Sequence, residues 1–263
     1  MIFFNFLKIC LAFGFKVFKN FHSNNRFDID YNMYLKQFIK LEKYKKIVKL
    51  KKKFKFSDFE LITNYGLFSG DTNLFKTLAI YDILKKISKI RGDIIELGIH
   101  KGNTSLLIKK ILSIFKIKKK LFLLDHFKGL IHYNKQDTNP SKIFKGKYVG
   151  KKDQINTFLN FFNFKNIEII NKDATTLKPG FFKKKKFSLA YFDMDLYAPT
   201  LRALQAIDKN ISVGGLIVFD EGHKRLWSER SAIRDFLKKN NKYKKIYIDK
   251  TRQPDVMLQK IKK

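Results

Sequence analysis

Cysteine is almost missing from this 263-residue chain: Cys10 stands alone. One thiol cannot close an intrachain disulfide, so a reducing compartment fits and a cytoplasmic location is expected. Cys10 lies in an apolar segment far from any His or Asp motif, which argues against a catalytic thiol. Long apolar runs are missing too. Lys8 and Lys16 interrupt the aromatic opening MIFFNFLKICLAFGFKVFKNF, so no stretch reaches the ~20 residues that a membrane span needs. That opening also lacks the basic start and small-residue cleavage site of a signal peptide. What remains is a helix packed on the domain or on a second subunit, giving a homo-oligomer, or an amphipathic helix in peripheral contact with a membrane face.

Acidic residues are few, 23 against 56 Lys and Arg, for a net charge of +33. Such an excess suggests an anionic partner. The lysines are scattered, however, in KKISK, KIKKK, KKKK and KKNNKYKK, and Lys, Ile, Asn and Phe are abundant together. Solvated lysine faces account for that pattern. There is no single basic helix, no aromatic RNA-binding signature and no N-P-P-Y pocket motif for a flipped base. No specific nucleic-acid partner is therefore expected.

The chain has no internal repeat and no Pro/Gly/Ser-rich linker. Its length fits one large domain with a small addition. Residues 1–70 read as a Lys-rich helical extension, and residues 71–263 as the main domain. A helix is expected over Asp71–Ile90, capped by Asp71 or Thr72. After Gly92 the pattern changes. Strand-length apolar runs at Asp93–Ile99, Lys120–Asp125, Ile167–Lys172, Phe187–Met194 and Gly215–Asp220 alternate with helical periodicity at Thr104–Phe115, Asp153–Phe162, Ala198–Lys209 and Glu229–Lys239. This alternation predicts an α/β fold with a mostly parallel sheet and helices on both faces. The last two strands, Lys245–Asp249 and Val256–Lys260, follow each other without a helix and predict an antiparallel edge pair. The aperiodic segment from His126 to Gly150 follows a strand's carboxyl end. A loop of that length suits a lid or binding loop.

The scarce acids gather at two places. Leu189–Phe192 runs into Asp193 and Asp195, and Leu216–Phe219 runs into Asp220 and Glu221, with one helix between. If the strands are parallel neighbours, all four acids share the carboxyl edge of the sheet, where open α/β sheets bind ligands. Four carboxylates at one edge repel unless a cation or proton separates them, and hard divalent cations favour such oxygens. The plainer use of each acid is to cap a helix or face solvent. An extended backbone through Asp193 and Asp195 would point both side chains the same way.

A second motif, DIIELGIHKGNTS, places a strand, then E-x-G-x-x-x-G, then a helix start. Gly98 and Gly102 permit a tight turn, and Ser105 lies in the helix's first turn. His100 stands where a dinucleotide fingerprint has its second glycine, so the pyrophosphate signature is missing. Glu96 suits a cationic or hydroxyl ligand, such as S-adenosylmethionine (SAM) with its sulfonium and amino groups. Asp125 ends the second strand about 20 residues on, placed to accept from ribose hydroxyls. Asp173 closes the third strand, beside an adenine or as an Asx-turn cap.

With these motifs together, the chain from about Gly92 to Gln259 resembles the macrocin O-methyltransferase (TylF-like) family of SAM- and Mg²⁺-dependent sugar O-methyltransferases. The resemblance rests on GDIIELGIHKGNTS, LLDHFKGL, FDMDLYAPTLRAL, SVGGLIVFDEG and PDVMLQK. It implies a Rossmann-like class I methyltransferase sheet with an antiparallel edge strand. The family's metal ligands fall on Asp193, Asp220 and Glu221, its general base on Asp195, and its cofactor carboxylates on Glu96 and Asp125. Cofactor contacts are also expected at Gly98, Gly102, Ser105 and Asp173. The chain departs from the family in having Glu221 where a second aspartate is usual, HKGN after the first glycine, and His126 where a serine is usual.

The implied reaction is methyl transfer from SAM to a hydroxyl of a sugar or sugar-containing small molecule, with Mg²⁺ or Mn²⁺ lowering the hydroxyl's pKa and Asp195 accepting its proton. His223, just after the second acid pair, is a candidate to assist the proton or orient the acceptor. A catechol-type O-methyltransferase shares fold and cation but acts on an aromatic diol. A nucleic-acid methyltransferase and an inactive scaffold are the remaining readings.

Overall fold

The computed structural model describes residues 71–263 and, before them, Lys49, residues 52–55 and Ser57. The expected N-terminal helical extension and membrane-facing helix lie outside the described residues, apart from a helical piece at residues 52–54. The expected Asp71 or Thr72 side-chain cap is likewise outside what is described.

Seven strands form one sheet: β1 (Asp93–Leu97), β2 (Leu121–Asp125), β3 (Ile167–Asn171), β4 (Phe187–Phe192), β5 (Ile211–Phe219), β6 (Tyr243–Tyr247) and β7 (Val256–Lys260). Their order is β3-β2-β1-β4-β5-β7-β6. The first five are parallel, and β7 pairs antiparallel with both β5 and β6. The helices are α1 (Asp71–Ile87), α2 (Asn103–Ile114), α3 (Lys152–Phe161), α4 (Tyr197–Ile207) and α5 (Glu229–Lys238).

The central strands are mostly apolar because both faces are covered. Alternate residues feed two cores. Ile95, Leu97, Ala190, Phe192, Ile217 and Phe219 pack with Ala203 and Leu204 of α4 and Ile233 and Phe236 of α5. Ile94, Leu189, Tyr191, Leu216 and Val218 pack on the other face, with Ile80 and Leu84 of α1, Ile108 and Leu112 of α2, and Ile155 of α3. Phe192 is in register with Phe219, so the residues that follow, Asp193 and Asp220, leave adjacent strand tips. The Asp220 amide donates to Phe192 O at 2.9 Å, and the Asp193 amide to Leu97 O at 2.9 Å. The chain reverses between β1 and β2 on one side and β4 and β5 on the other, so the carboxyl ends of β1 and β4 flank the crevice where such sheets bind ligands.

Several boundaries differ from expectation: β1 ends at Leu97, α1 at Ile87, and β6 runs Tyr243–Tyr247. β5 begins at Ile211, not Gly215, because Gly214 and Gly215 continue the strand. β4 stops at Phe192, and Asp195 adopts a left-handed φ of 61°. The extended-strand argument for Asp193 and Asp195 therefore does not hold at Asp195.

Candidate active site

One cleft of about 240 Å³ opens at the carboxyl edge. Gly98, His100 and Asp125 line one side; Asp193, Asp195 and Glu221 line the other. The loop after β2 supplies His126, His132 and Tyr148, and Trp227 and Gln253 complete the wall. The structure thus brings three of the expected acids and Gly98 of the turn to one cleft, which the loop after β2 also lines.

That loop is held in place by polar anchors. Asp137 is buried, and its Oδ1 accepts the Tyr197 amide at 2.9 Å at the start of α4. Its Oδ2 accepts the Asn134 amide at 2.8 Å. The Thr138 amide donates to Ser228 Oγ at 3.2 Å, and its hydroxyl donates to Leu226 O. Phe144 packs on Trp227 with ring centroids 5.0 Å apart, building an aromatic wall with Tyr148.

The glycine turn is fixed from behind. Asp125 Oδ2 accepts the amides of Ile99 at 2.7 Å and His100 at 3.1 Å, and Oδ1 accepts Phe127 N at 2.7 Å. Asp125 therefore clamps the turn while still lining the cleft. Gly98 has φ 86°, and a Cβ there would lie 2.0 Å from the Asp193 carbonyl oxygen. This glycine lets the tips of β1 and β4 approach each other. Gly102, φ 82°, begins α2.

Four expected cofactor residues, Glu96, Gly102, Ser105 and Asp173, do not line the cleft. Glu96 is 1% exposed and Ser105 is fully buried. Ser105 Oγ donates to Glu96 Oε2 at 2.5 Å. Burial pushes the Glu96 carboxyl up to about 8, against the pull of the Ser105 hydrogen bond. The pair is satisfied behind the turn, and neither residue lines the cleft. Asp173 caps the short helical turn at Ala174–Thr176; its Oδ1 accepts Thr175 N at 2.8 Å and Thr175 Oγ1 at 2.7 Å. Its neighbours Lys172 and Ala174, not Asp173, line the cleft.

The acids interact strongly. Burial first, then Asp220, pushes the Asp193 carboxyl up to about 7, with Lys76 pulling it back. Burial and Asp193 push Asp195 well above the usual carboxylate range. Burial also lifts Glu221 to about 7, opposed by Lys224. Glu221 Oε1 accepts from Lys224 Nζ at 3.2 Å and from Gln253 Nε2. Its Oε2 is buried with no hydrogen-bond partner. Asp220 is 4% exposed and pairs with Lys76 Nζ at 2.9 Å, and the Tyr191 hydroxyl donates to the same oxygen. Although burial would lower it, the charges of Asp220 and Asp193 hold the Lys76 pKa above its ordinary value.

The donor chemistry suits a hard divalent cation, with three buried or half-buried carboxylates and one buried oxygen lacking a partner, although no three of these acids bring oxygens within 4.8 Å of one another in this structure. Asp193 and Glu221 face the cleft and would hold the ion. Asp220 lies just behind them with one oxygen given to Lys76 and Tyr191.

His223 does not reach the cleft. Its amide donates to Asp255 Oδ2 at 3.0 Å, and its ring stands edge-on to Tyr247 with centroids 5.2 Å apart. The turn after β5 carries the imidazole toward β6, so the expected part in proton transfer is corrected.

Sequence reading missed Glu229. This residue opens α5, is fully buried, and bridges the two acid-bearing tips. Its Oε1 accepts Met194 N at 3.0 Å and Asp195 N at 3.4 Å, and its Oε2 accepts Glu221 N at 3.2 Å. Burial and Asp193 push its pKa well up, against those amide bonds. Lys76, Tyr148, Trp227 and Gln253 were also missed. The one available signal was for Glu229: an acid in the first turn of a predicted helix soon after the second acid pair.

Comparison with known proteins agrees with this architecture. The family model described as macrocin-O-methyltransferase (TylF) matches residues 75–252. The fold is similar to that of the O-methyltransferase NovP, at 16% identity and a TM-score of 0.62, over 72% of this chain and 81% of that one. It is also similar to CalS11, a calicheamicin methyltransferase, at 20% identity and a TM-score of 0.69, over 83% of this chain and 91% of that one. A second structure of CalS11, described as a TDP-rhamnose 3'-O-methyltransferase, gives 20% identity and a TM-score of 0.61, covering 83% and 93%. No curated protein matches the chain in sequence.

Proposed function

The chain belongs to the macrocin-O-methyltransferase (TylF) family of SAM-dependent O-methyltransferases, and on that footing we propose that it methylates a sugar hydroxyl with the help of a divalent cation. The observation that carries this reading is the shared cleft: the glycine turn and Asp125 line it together with Asp193, Asp195 and Glu221. A donor bound at the turn and an acceptor held at the acids meet in one space.

SAM, when bound, would supply an electrophilic methyl group, and Asp193 and Glu221, with Asp220 behind, would hold a Mg²⁺ or Mn²⁺ whose charge would favour an ionised hydroxyl. Asp195 takes the hydroxyl proton. Its burial next to Asp193 makes it a stronger base than an exposed aspartate. Glu229 fixes the peptide of Asp195 relative to that of Glu221, so base and acceptor-binding acid keep a set separation. Asp125 holds the turn that faces them. Tyr148 and Trp227 exclude water from one side and offer an apolar surface to a sugar ring. The same aromatic wall suits a flat diol, which keeps a catechol acceptor as the second reading.

The test is mass spectrometry of products from the purified protein with SAM, Mg²⁺ and a panel of deoxysugar nucleotides, glycosides and catechols. A methylated sugar whose formation stops with EDTA is the expected result. Methylation of the catechols alone overturns the sugar assignment, and turnover unaffected by EDTA overturns the cation.

A further inference from the structure

A second group of coordinating side chains lies across the cleft from the acids. His126 and His132 come from the loop after β2, and Asp173 from the end of β3. One ligand atom from each lies within 4.8 Å of the others. The two imidazoles stand edge-to-face with centroids 5.6 Å apart. His132 Nε2 approaches Asp173 Oδ2 to 2.5 Å. Yet that nitrogen is buried and has no hydrogen bond of acceptable geometry. With a protonated imidazole this contact is an ion pair with Asp173; with a neutral one, two electron-pair donors converge.

The groups behind this trio are arranged as they are around metal ligands. Thr175 N and Oγ1 both donate to Asp173 Oδ1, which fixes the carboxylate and leaves Oδ2 to face His132. Lys128 N donates to His126 Nδ1 at 2.9 Å in an exposed part of the loop, a bond that water can replace if that nitrogen is needed. The set of two imidazoles and one carboxylate differs in kind from the all-carboxylate group opposite. It favours borderline-soft ions such as Zn²⁺ or Co²⁺ over Mg²⁺. Three protein ligands leave a fourth tetrahedral position for water. Bonds of ~2.0–2.1 Å set ligand atoms ~3.3 Å apart in a tetrahedron, so His132 and Asp173 need to separate by roughly 1 Å.

We propose that His126, His132 and Asp173 form a transition-metal site, separate from the acidic site, which ties the loop after β2 to the end of β3. The site does not depend on the methyl-transfer reading.

The test is Co²⁺ titration of the metal-stripped full chain in a large excess of Mg²⁺, which occupies the oxygen-rich site. One equivalent of Co²⁺ should produce the intense visible bands of four-coordinate cobalt, and Zn²⁺ should displace it. His132→Ala and, separately, His126→Gln should each weaken binding at least ~10-fold, the loss seen when even a group behind a ligand is removed. Asp193→Asn should leave the bands in place. Bound Co²⁺ should also slow hydrogen exchange across residues 126–132. Absence of four-coordinate bands in the wild-type protein overturns the proposal. So do bands that survive both histidine substitutions, or bands lost only in Asp193→Asn.

Discussion

The sharpest consequence of the acidic edge is a steep pH dependence of cation binding. Asp193 and Glu221 are each pushed up to about 7, chiefly by burial, and both must ionise to hold a cation. With two groups near 7, the fraction of molecules with both ionised falls from about 0.8 at pH 8 to about 0.01 at pH 6. Affinity for Mg²⁺ or Mn²⁺ should therefore drop about 100-fold over that interval, equivalent to about 2.7 kcal/mol. The sign in stability is opposite for the metal-free protein. Its raised pKa values mean that the folded state binds more protons than the unfolded chain between roughly pH 4 and pH 7. Stability without metal should fall as pH rises through this window, and added cation should restore most at pH 8. The assay is thermal unfolding of EDTA-stripped protein against Mn²⁺ concentration at pH 6, 7 and 8. An affinity that is the same at pH 6 and pH 8 refutes the reasoning, because ligands that need no deprotonation cannot be these two acids.

Three substitutions follow. Asp195→Asn should abolish methyl transfer while leaving SAM affinity, read by calorimetry, within about twofold, since it removes a base and no part of the turn; retained turnover removes Asp195 as the base. Glu229→Ala leaves up to three buried amides unpaired at ~1–3 kcal/mol each, so denaturant unfolding should show a loss of at least ~3 kcal/mol, and Mn²⁺ binding should weaken with it; a loss under ~1 kcal/mol contradicts the bridge. Gly98→Ala puts a Cβ 2.0 Å from the Asp193 carbonyl oxygen at a left-handed φ, so the tips must part; a cost of several kcal/mol is expected, and a stability equal to wild type refutes the close approach.

Much of this site was legible in the chain because its parts are local. Strands buried on both faces read as short, mostly apolar runs, as in DIIEL and FSLAYF. Parallel pairing in register then sets their acidic ends at one edge, which is why Asp193, Asp195, Asp220 and Glu221 follow adjacent strand tips. The residues that were misread depend on contacts far apart in sequence. Glu96 looked like a ligand from its motif, but Ser105 of α2 turns it into the interior. His223 looked close to the site along the chain, yet Asp255, 32 residues away, directs its turn toward β6. Lys76 is one of 56 basic residues and nothing nearby distinguishes it; only the packing of α1 on the sheet brings it to Asp220. The Gly214–Gly215 pair reads as a strand break, but the strand runs through it between paired neighbours.

The central claim is that carboxylates from the tips of β4 and β5 share one divalent cation beside the donor cleft. Anomalous diffraction from crystals grown with saturating Mn²⁺ tests it most directly. The account predicts a peak between Asp193 and Glu221, lost in Asp193→Asn crystals grown the same way. Saturating Mn²⁺ with no peak at those two side chains would contradict it.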